Sequence, residues 1–226
     1  MTHLLDNPVW SALQTGNKDI SLGTDKVKFY RLDISLFAGL AENSGANLLE
    51  LHKLTPRGDG VFAVVCVENI DIPQPWTVVL RIPVFQMVCE QPVFRSAITV
   101  PVINLSDEHI PQMLALTDLT KPGPFIERTI DFGHYQGIFD GDRLVAMAGQ
   151  RMHATPYAEI SAVCTHPDYV GRGYAAQLML SQMKRITDGG EIPFLHVTKT
   201  NERAITLYDS LGFVKRRELL VCLIRK

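Results

Sequence analysis

Apolar positions in this chain switch repeatedly between helical and strand periodicity, and each switch marks an element. The N-terminal part predicts a helix near Val9 to Thr15 and a short strand around Lys28 to Arg31. Helices over Asp33 to Glu42 and Ala46 to Lys53 follow, the second closed by Pro56 and Gly58. Two β-rich runs, Gly60 to Glu68 and Trp76 to Val88, flank the proline-bearing turn Asp71 to Pro75.

A second series opens with a strand over Ile98 to Asn104 and a helix capped by Ser106 or Asp107 that runs to Leu119. A short helix, Phe125 to Phe132, leads into a hairpin turning at Asp140-Gly141-Asp142 between Tyr135 to Phe139 and Leu144 to Arg151. Next come the strand Tyr157 to Thr165, a glycine loop, and an amphipathic helix over Tyr174 to Thr187 ended by Gly189-Gly190. The chain finishes with the strand Pro193 to Thr198, a helix Glu202 to Leu211, and strands near Phe213 to Arg217 and Leu219 to Arg225. The pattern places a boundary near Gln91 to Ser96, giving an N-terminal α/β domain over 1–95 and a second domain over 96–226. The first series echoes the opening of the second, which suggests a truncated duplicate.

Composition narrows the class. With 46% hydrophobic and 20% charged residues, the chain of 226 residues has material for a sizeable core. A formal charge of -2 offers no basic field for nucleic acid or anionic lipid. Cys66, Cys89, Cys164 and Cys222 are scattered through apolar runs without metal-ligand or redox spacing, as in a cytoplasmic protein with reduced, buried thiols and no metal. No signal peptide or membrane-spanning run is evident, so the expectation is a cytoplasmic monomer or homodimer without membrane or nucleic-acid partners.

The most informative stretch is AEISAVCTHPDYVGRGYAA, Ala158 to Ala176, in which an apolar strand passes through a glycine loop into a helix. Glycines let the backbone approach a ligand, and the first helical turn adds unpaired N–H donors at the positive end of the macrodipole. Such a junction suits a pyrophosphate, although a glycine turn without a ligand has the same look. The segment resembles motif A of the GNAT acyltransferases, [Q/R]-x-x-G-x-[G/A], written here Val170-Gly171-Arg172-Gly173-Tyr174-Ala175. Gly173 and Ala175 match; Val170 replaces the usual polar residue. Downstream, Asn201, Ala204, Tyr208 and Gly212-Phe213 resemble motif B, N-x-x-A-x-x-x-Y-x-x-x-G-F. The resemblance covers Ile98 to Lys226, is nearest the glycine-N-acyltransferase-like branch, and implies acetyl-CoA as cosubstrate and a primary amine as acceptor.

The family fold is α/β in the α+β sense, a mixed, mostly antiparallel sheet with helices on both faces. It implies that the strand ending at Thr165 splays from Pro193 to Thr198, and that CoA pairs with the backbone around Val163, Cys164 and Thr165. The Val163 amide then faces the thioester oxygen. Tyr208 corresponds to the acid that protonates the departing thiolate; its bland alternative is a core aromatic. Glu159, a carboxylate inside an apolar strand, is the first candidate base, against a structural ion pair. His196 is the reserve base, and Cys164 reads as packing. An acyl-CoA-binding sensor or scaffold with decayed catalysis is the alternative to a working acetyltransferase.

Overall fold

A computed structural model of the chain describes residues 3–55, 60–94 and 100–226. The expected boundary at 95/96, the start of the strand at Ile98, and Pro56 and Gly58 lie outside the described residues. The described chain forms β1 (Ser21–Gly23), β2 (Val27–Tyr30), β3 (Phe37–Leu40), β4 (Val61–Cys66) and β5 (Thr77–Val88), with α1 (Pro8–Gln14) and α2 (Gly45–Leu54). The second series comprises β6 (Ile103–Asn104), α3 (Ile110–Thr120), β7 (Gln136–Asp140), β8 (Arg143–Ala154) and β9 (Tyr157–Thr165). It ends with α4 (Tyr174–Asp188), β10 (Ile192–Thr198), α5 (Glu202–Ser210) and β11 (Val214–Arg225).

Three expectations are corrected. The helix over Asp33 to Glu42 is instead the strand β3, all four residues of which are buried. A strand covered on both faces loses its alternation, so the short apolar run carries no period. A Cβ on Gly39 would stand 2.5 Å from the backbone nitrogen of Trp10, so α1 lies directly on this strand. The short helix Phe125 to Phe132 contracts to a single 3-10 turn, Thr129–Phe132. The two closing strands are one, β11, with a register shift between Lys215 and Arg217 that reads from sequence as a break.

All eleven strands lie in one sheet, ordered β1-β2-β3-β4-β11-β5-β10-β9-β8-β7-β6. The order contains a reciprocal exchange. β5, from the first series, sits between β10 and β11; β11, from the second, sits between β4 and β5. On either side the pattern repeats. β3 and β4 are parallel with α2 between them in the chain, and β9 and β10 are parallel with α4 between them. The strands of both series thus share one sheet.

Burial follows this topology. Leu219, Cys222 and Ile224 of β11 are buried between strands of the first series. Each fully buried aliphatic chain contributes roughly 1.5–3 kcal/mol. Leu178, Met179, Met183 and Ile186 give α4 its buried stripe, and buried Gln182 on that stripe donates to His134 O and Gln136 Oε1. α1 joins the halves from above: Thr15 Oγ1 donates to Ser11 O and to His153 O of β8.

A chain of residues 100–226 alone would leave β10 and β11 without β5. We expect it to lose the cooperative thermal transition of the whole chain, measured by near-ultraviolet circular dichroism; a sharp transition would show that the exchange is dispensable.

Candidate active site

β9 and β10 pair only from Tyr157 to Glu159, against Ile192 to Phe194. Past that point they separate, leaving the β10-facing edge of Ser161 to Thr165 without a strand partner among the described residues. Within this edge β9 is bulged against β8 between Ser161 and Cys164, and Ala162 takes a left-handed φ of 53°. A left-handed alanine is costly, on the order of 1–3 kcal/mol, and such strain persists where packing over-determines it, often at functional sites. The bulge sets Ala162 and Val163 together opposite Ala148 and disrupts the regular ladder there.

The glycine loop closes one side of the opening. Gly171 and Gly173 have φ of 88° and 80°, which favour glycine, and a Cβ on Gly171 would meet nothing within 4 Å. The requirement is therefore conformational, and the space beside Gly171 stays open. Gly173 caps α4 without a side-chain hydrogen bond, so the first amides of the helix point into the opening unpaired. Asn201 caps α5 by accepting from the Ala204 amide.

These elements surround a cavity of about 420 Å³. Val163, Cys164 and Thr165 line it from the strand, and Val170, Gly171, Gly173, Tyr174 and Ala175 from the loop and helix. Asn201, Ala204 and Tyr208 complete it from α5. Arg172 is not on the wall; its guanidinium lies over the Tyr169 ring. Arg203 supplies a cation to the wall instead, and Tyr169 and Leu207 are further lining residues that the motif did not mark. Among the described residues the buried Thr165 hydroxyl has no hydrogen-bond partner.

A second cavity, about 460 Å³, lies on the other side of the gap. It shares Val163, Cys164, Asn201 and Tyr208 with the first, so the two meet at these residues. Its floor comes largely from the first series and from β11: Phe37, Ala63, Ile82, Val84, Val221 and Leu223. No motif signals these residues; only the strand exchange brings them here.

The expected site groups differ in access. Tyr208 lies where the cavities meet, and burial raises its phenol to about 12, so the hydroxyl stays protonated at neutral pH. Burial likewise raises the Cys164 thiol to about 11, away from the thiolate form that a nucleophile needs. Glu159 is fully buried and lines neither cavity. Its Oε2 accepts from Arg151 Nε at 2.8 Å and from the Met152 amide at 3.2 Å. Its Oε1 accepts from Arg151 Nη2 at 2.6 Å and pairs with His196 Nδ1 at 2.7 Å. Burial pushes this carboxyl up, but the charge and hydrogen bonds of Arg151, joined by His196, outweigh it and hold the group far below 4.5.

His196 reaches the second cavity, and the network assigns its tautomer. Gln86 Oε1 accepts from Arg216 Nη1 at 2.8 Å, so Gln86 Nε2 is the amide donor, to Leu5 O at 2.9 Å and to His196 Nε2 at 3.0 Å. His196 Nε2 is then unprotonated, and Nδ1–H donates to Glu159. His166, in the turn, accepts the Asp168 amide through Nδ1 and is positional.

The chain is similar along its entire length to a protein assigned to the GNAT acetyltransferases, from Novosphingobium aromaticivorans. The two are 33% identical with a TM-score of 0.92, covering 100% of this chain and 99% of that one. The chain belongs to the GNAT family of acetyltransferases. The FR47-like protein family matches residues 135–221, the part that carries the first cavity. This GNAT acetyltransferase is also 36% identical over 83 residues to the N-alpha-acetyltransferase RimI of Mycobacterium tuberculosis. That match takes in 35% of this chain, and the chain spans about half, 51%, of that relative's length. A GCN5-related N-acetyltransferase from Kribbella flavida has the same fold, at 16% identity, a TM-score of 0.60, and coverage of 97% and 95%. Among the described residues no helix is long and apolar enough to cross a membrane.

Removing one partner of a buried ion pair typically costs about 3–5 kcal/mol, because the other charge is left uncompensated. Glu159→Gln should lose that much stability at neutral pH. Since the folded carboxyl titrates below its unfolded value of 4.5, its contribution is complete above that value and fades as pH falls beneath it. Urea unfolding of both proteins as a function of pH should show a constant gap above about pH 5.5 that narrows on acidification.

Proposed function

We propose that this protein transfers the acetyl group of acetyl-CoA to a primary amine by direct attack on the thioester, with CoA in the first cavity and the amine in the second. The observation that carries this reading is the junction of the two cavities at Val163, Cys164, Asn201 and Tyr208. A pantetheine arm laid along the open edge of Val163 to Thr165 would complete the sheet, as peptides do in strand addition. The unpaired amides at the start of α4 suit the pyrophosphate, with Arg203 beside them. The partnerless Thr165 hydroxyl is a donor that such an arm would satisfy.

In this scheme the amine nitrogen bonds to the carbonyl carbon, the oxyanion accepts from the Val163 amide, and the carbon–sulfur bond breaks as Tyr208 gives its proton to sulfur. His196 Nε2 exchanges its Gln86 contact for the incoming ammonium and takes one proton from it before attack; the proton the nitrogen loses after attack returns to the Tyr208 oxygen. Glu159 is a positioning residue here: a carboxylate held well below its ordinary range is a weak base, but it fixes the imidazole tautomer and supports the imidazolium. The motif position of Tyr208 and the fit of the junction favour a working enzyme over a sensor with decayed chemistry.

Ala175→Glu tests the cosubstrate site. A glutamate in the first turn of a helix suits the fold but sets a carboxylate where the pyrophosphate would lie. Calorimetry should show CoA affinity reduced at least a hundredfold with the melting temperature kept; unchanged affinity would remove the site.

Steady-state pH profiles test the acid and the base. Tyr208→Phe should lower kcat by ~10²–10⁴-fold with CoA affinity unchanged. His196→Gln should lose most activity at low pH and recover as the acceptor amine deprotonates unaided. A pH-independent loss would assign His196 to structure.

A further inference from the structure

We infer that the acceptor is a free amino acid with a bulky apolar side chain, whose carboxylate docks on Arg151 in the second cavity. This rests on the proposed function for which cavity holds the amine, and it adds the chemistry that selects that amine.

The guanidinium of Arg151 is largely buried, its side chain 13% exposed, and it stacks 4.8 Å over the Phe37 ring. Two of its five N–H donors, on Nε and Nη2, are taken by Glu159. The other three have no protein acceptor among the described residues, and they include both hydrogens of Nη1. Arg151 lines the second cavity, whereas Glu159 is sealed behind it. What remains is the end-on fork of Nη1 and the outer hydrogen of Nη2, the geometry that takes a carboxylate through two parallel bonds. Glu159 and Phe37 hold that fork in place before anything binds, so little side-chain freedom is lost on docking.

The charges on the wall agree. Among the described residues, Arg151 and Lys121 line this cavity and no aspartate or glutamate does. Lys121 is paired with Asp118 at 2.8 Å, so the free donors that an anion would meet in this cavity are those of Arg151. The remaining surface is apolar, from Phe37, Ile82, Val84, Val221 and Leu223, and the volume of about 460 Å³ far exceeds what glycine would fill. A ligand that uses all three features has an amine at the Tyr208 end, a carboxylate at the Arg151 end and an apolar side chain on the floor.

The test is a set of initial rates from thiol release with acetyl-CoA. Leucine and phenylalanine are compared with glycine, with leucinamide and phenylalaninamide, and with isopentylamine and phenethylamine, each corrected for its fraction of neutral amine. Leucine or phenylalanine should exceed its amide and its decarboxylated amine at least tenfold in kcat/KM, mostly through KM, and should exceed glycine. The double variant Arg151→Gln, Glu159→Gln removes both charges together and so avoids a lone buried one. It should erase the preference for acid over amide while CoA affinity, by calorimetry, stays the same. The inference is overturned if amides or simple amines match the acids in the wild type, if no free amino acid is acetylated by protein that binds CoA, or if the double variant keeps the preference. If the double variant does not fold, the wild-type comparison decides alone. Absence of CoA binding in the wild type would instead overturn the proposed function.

Discussion

A single polar chain crosses the sheet and organises everything around it. It runs from Arg151 on β8 to Glu159 on β9, His196 on β10, Gln86 on β5 and Arg216 on β11, five consecutive strands in the sheet, and ends on Asp6. Four charged and two neutral polar groups drawn out of water together would be ruinous if any were left unpaired, since the low local dielectric that strengthens each bond also raises the cost of a missing one. Each strand must therefore hold its register for the others to be satisfied. Gln86 stands directly opposite His196, and Arg216 reaches Gln86 because the register shift in β11 falls at that residue. This first of two register shifts in β11 is what lets Arg216 turn toward the chain.

The strand exchange gives that chain its route. Were the halves separate domains, β10 would have no neighbour carrying Gln86 and β11 no neighbour carrying Val64 or Val84. The exchange also decides the shape of the second cavity, whose floor belongs mostly to the first half while the β9 and β10 edges that face it belong to the second. The first half has no glycine loop, yet it takes part in the site by supplying the apolar surface and the ring under Arg151.

Several local costs collect around the gap between β9 and β10. Ala162 is held in a left-handed conformation, the Thr165 hydroxyl has no partner, and the first amides of α4 lack a side-chain cap. Each is unfavourable in isolation, and all three lie beside the open edge of β9. A fold optimised only for stability would satisfy these groups internally.

Much of the first cavity was legible in the sequence because its determinants are local. A strand, a glycine loop and a capped helix follow one another directly, and a positive φ or an unpaired amide depends on neighbours in the chain. The periodic helices α2, α4 and α5 were legible for the same reason, their buried stripes recurring within a few turns. By contrast β3 was read as a helix, since burial on both faces removes the period that would identify it. The long-range features were decided by tertiary structure alone. A buried carboxylate in an apolar strand announced that Glu159 needs a partner, but whether it would be a base or an anchor depended on Arg151 and His196, eight and thirty-seven residues away. Likewise nothing local tells β5 that it will lie between β10 and β11, because hydrogen bonds between strands are made by backbone groups that every residue carries. The sequence by itself thus determined the conformation and chemistry of the glycine loop that lines the first cavity, and only the tertiary structure decided what stands opposite it.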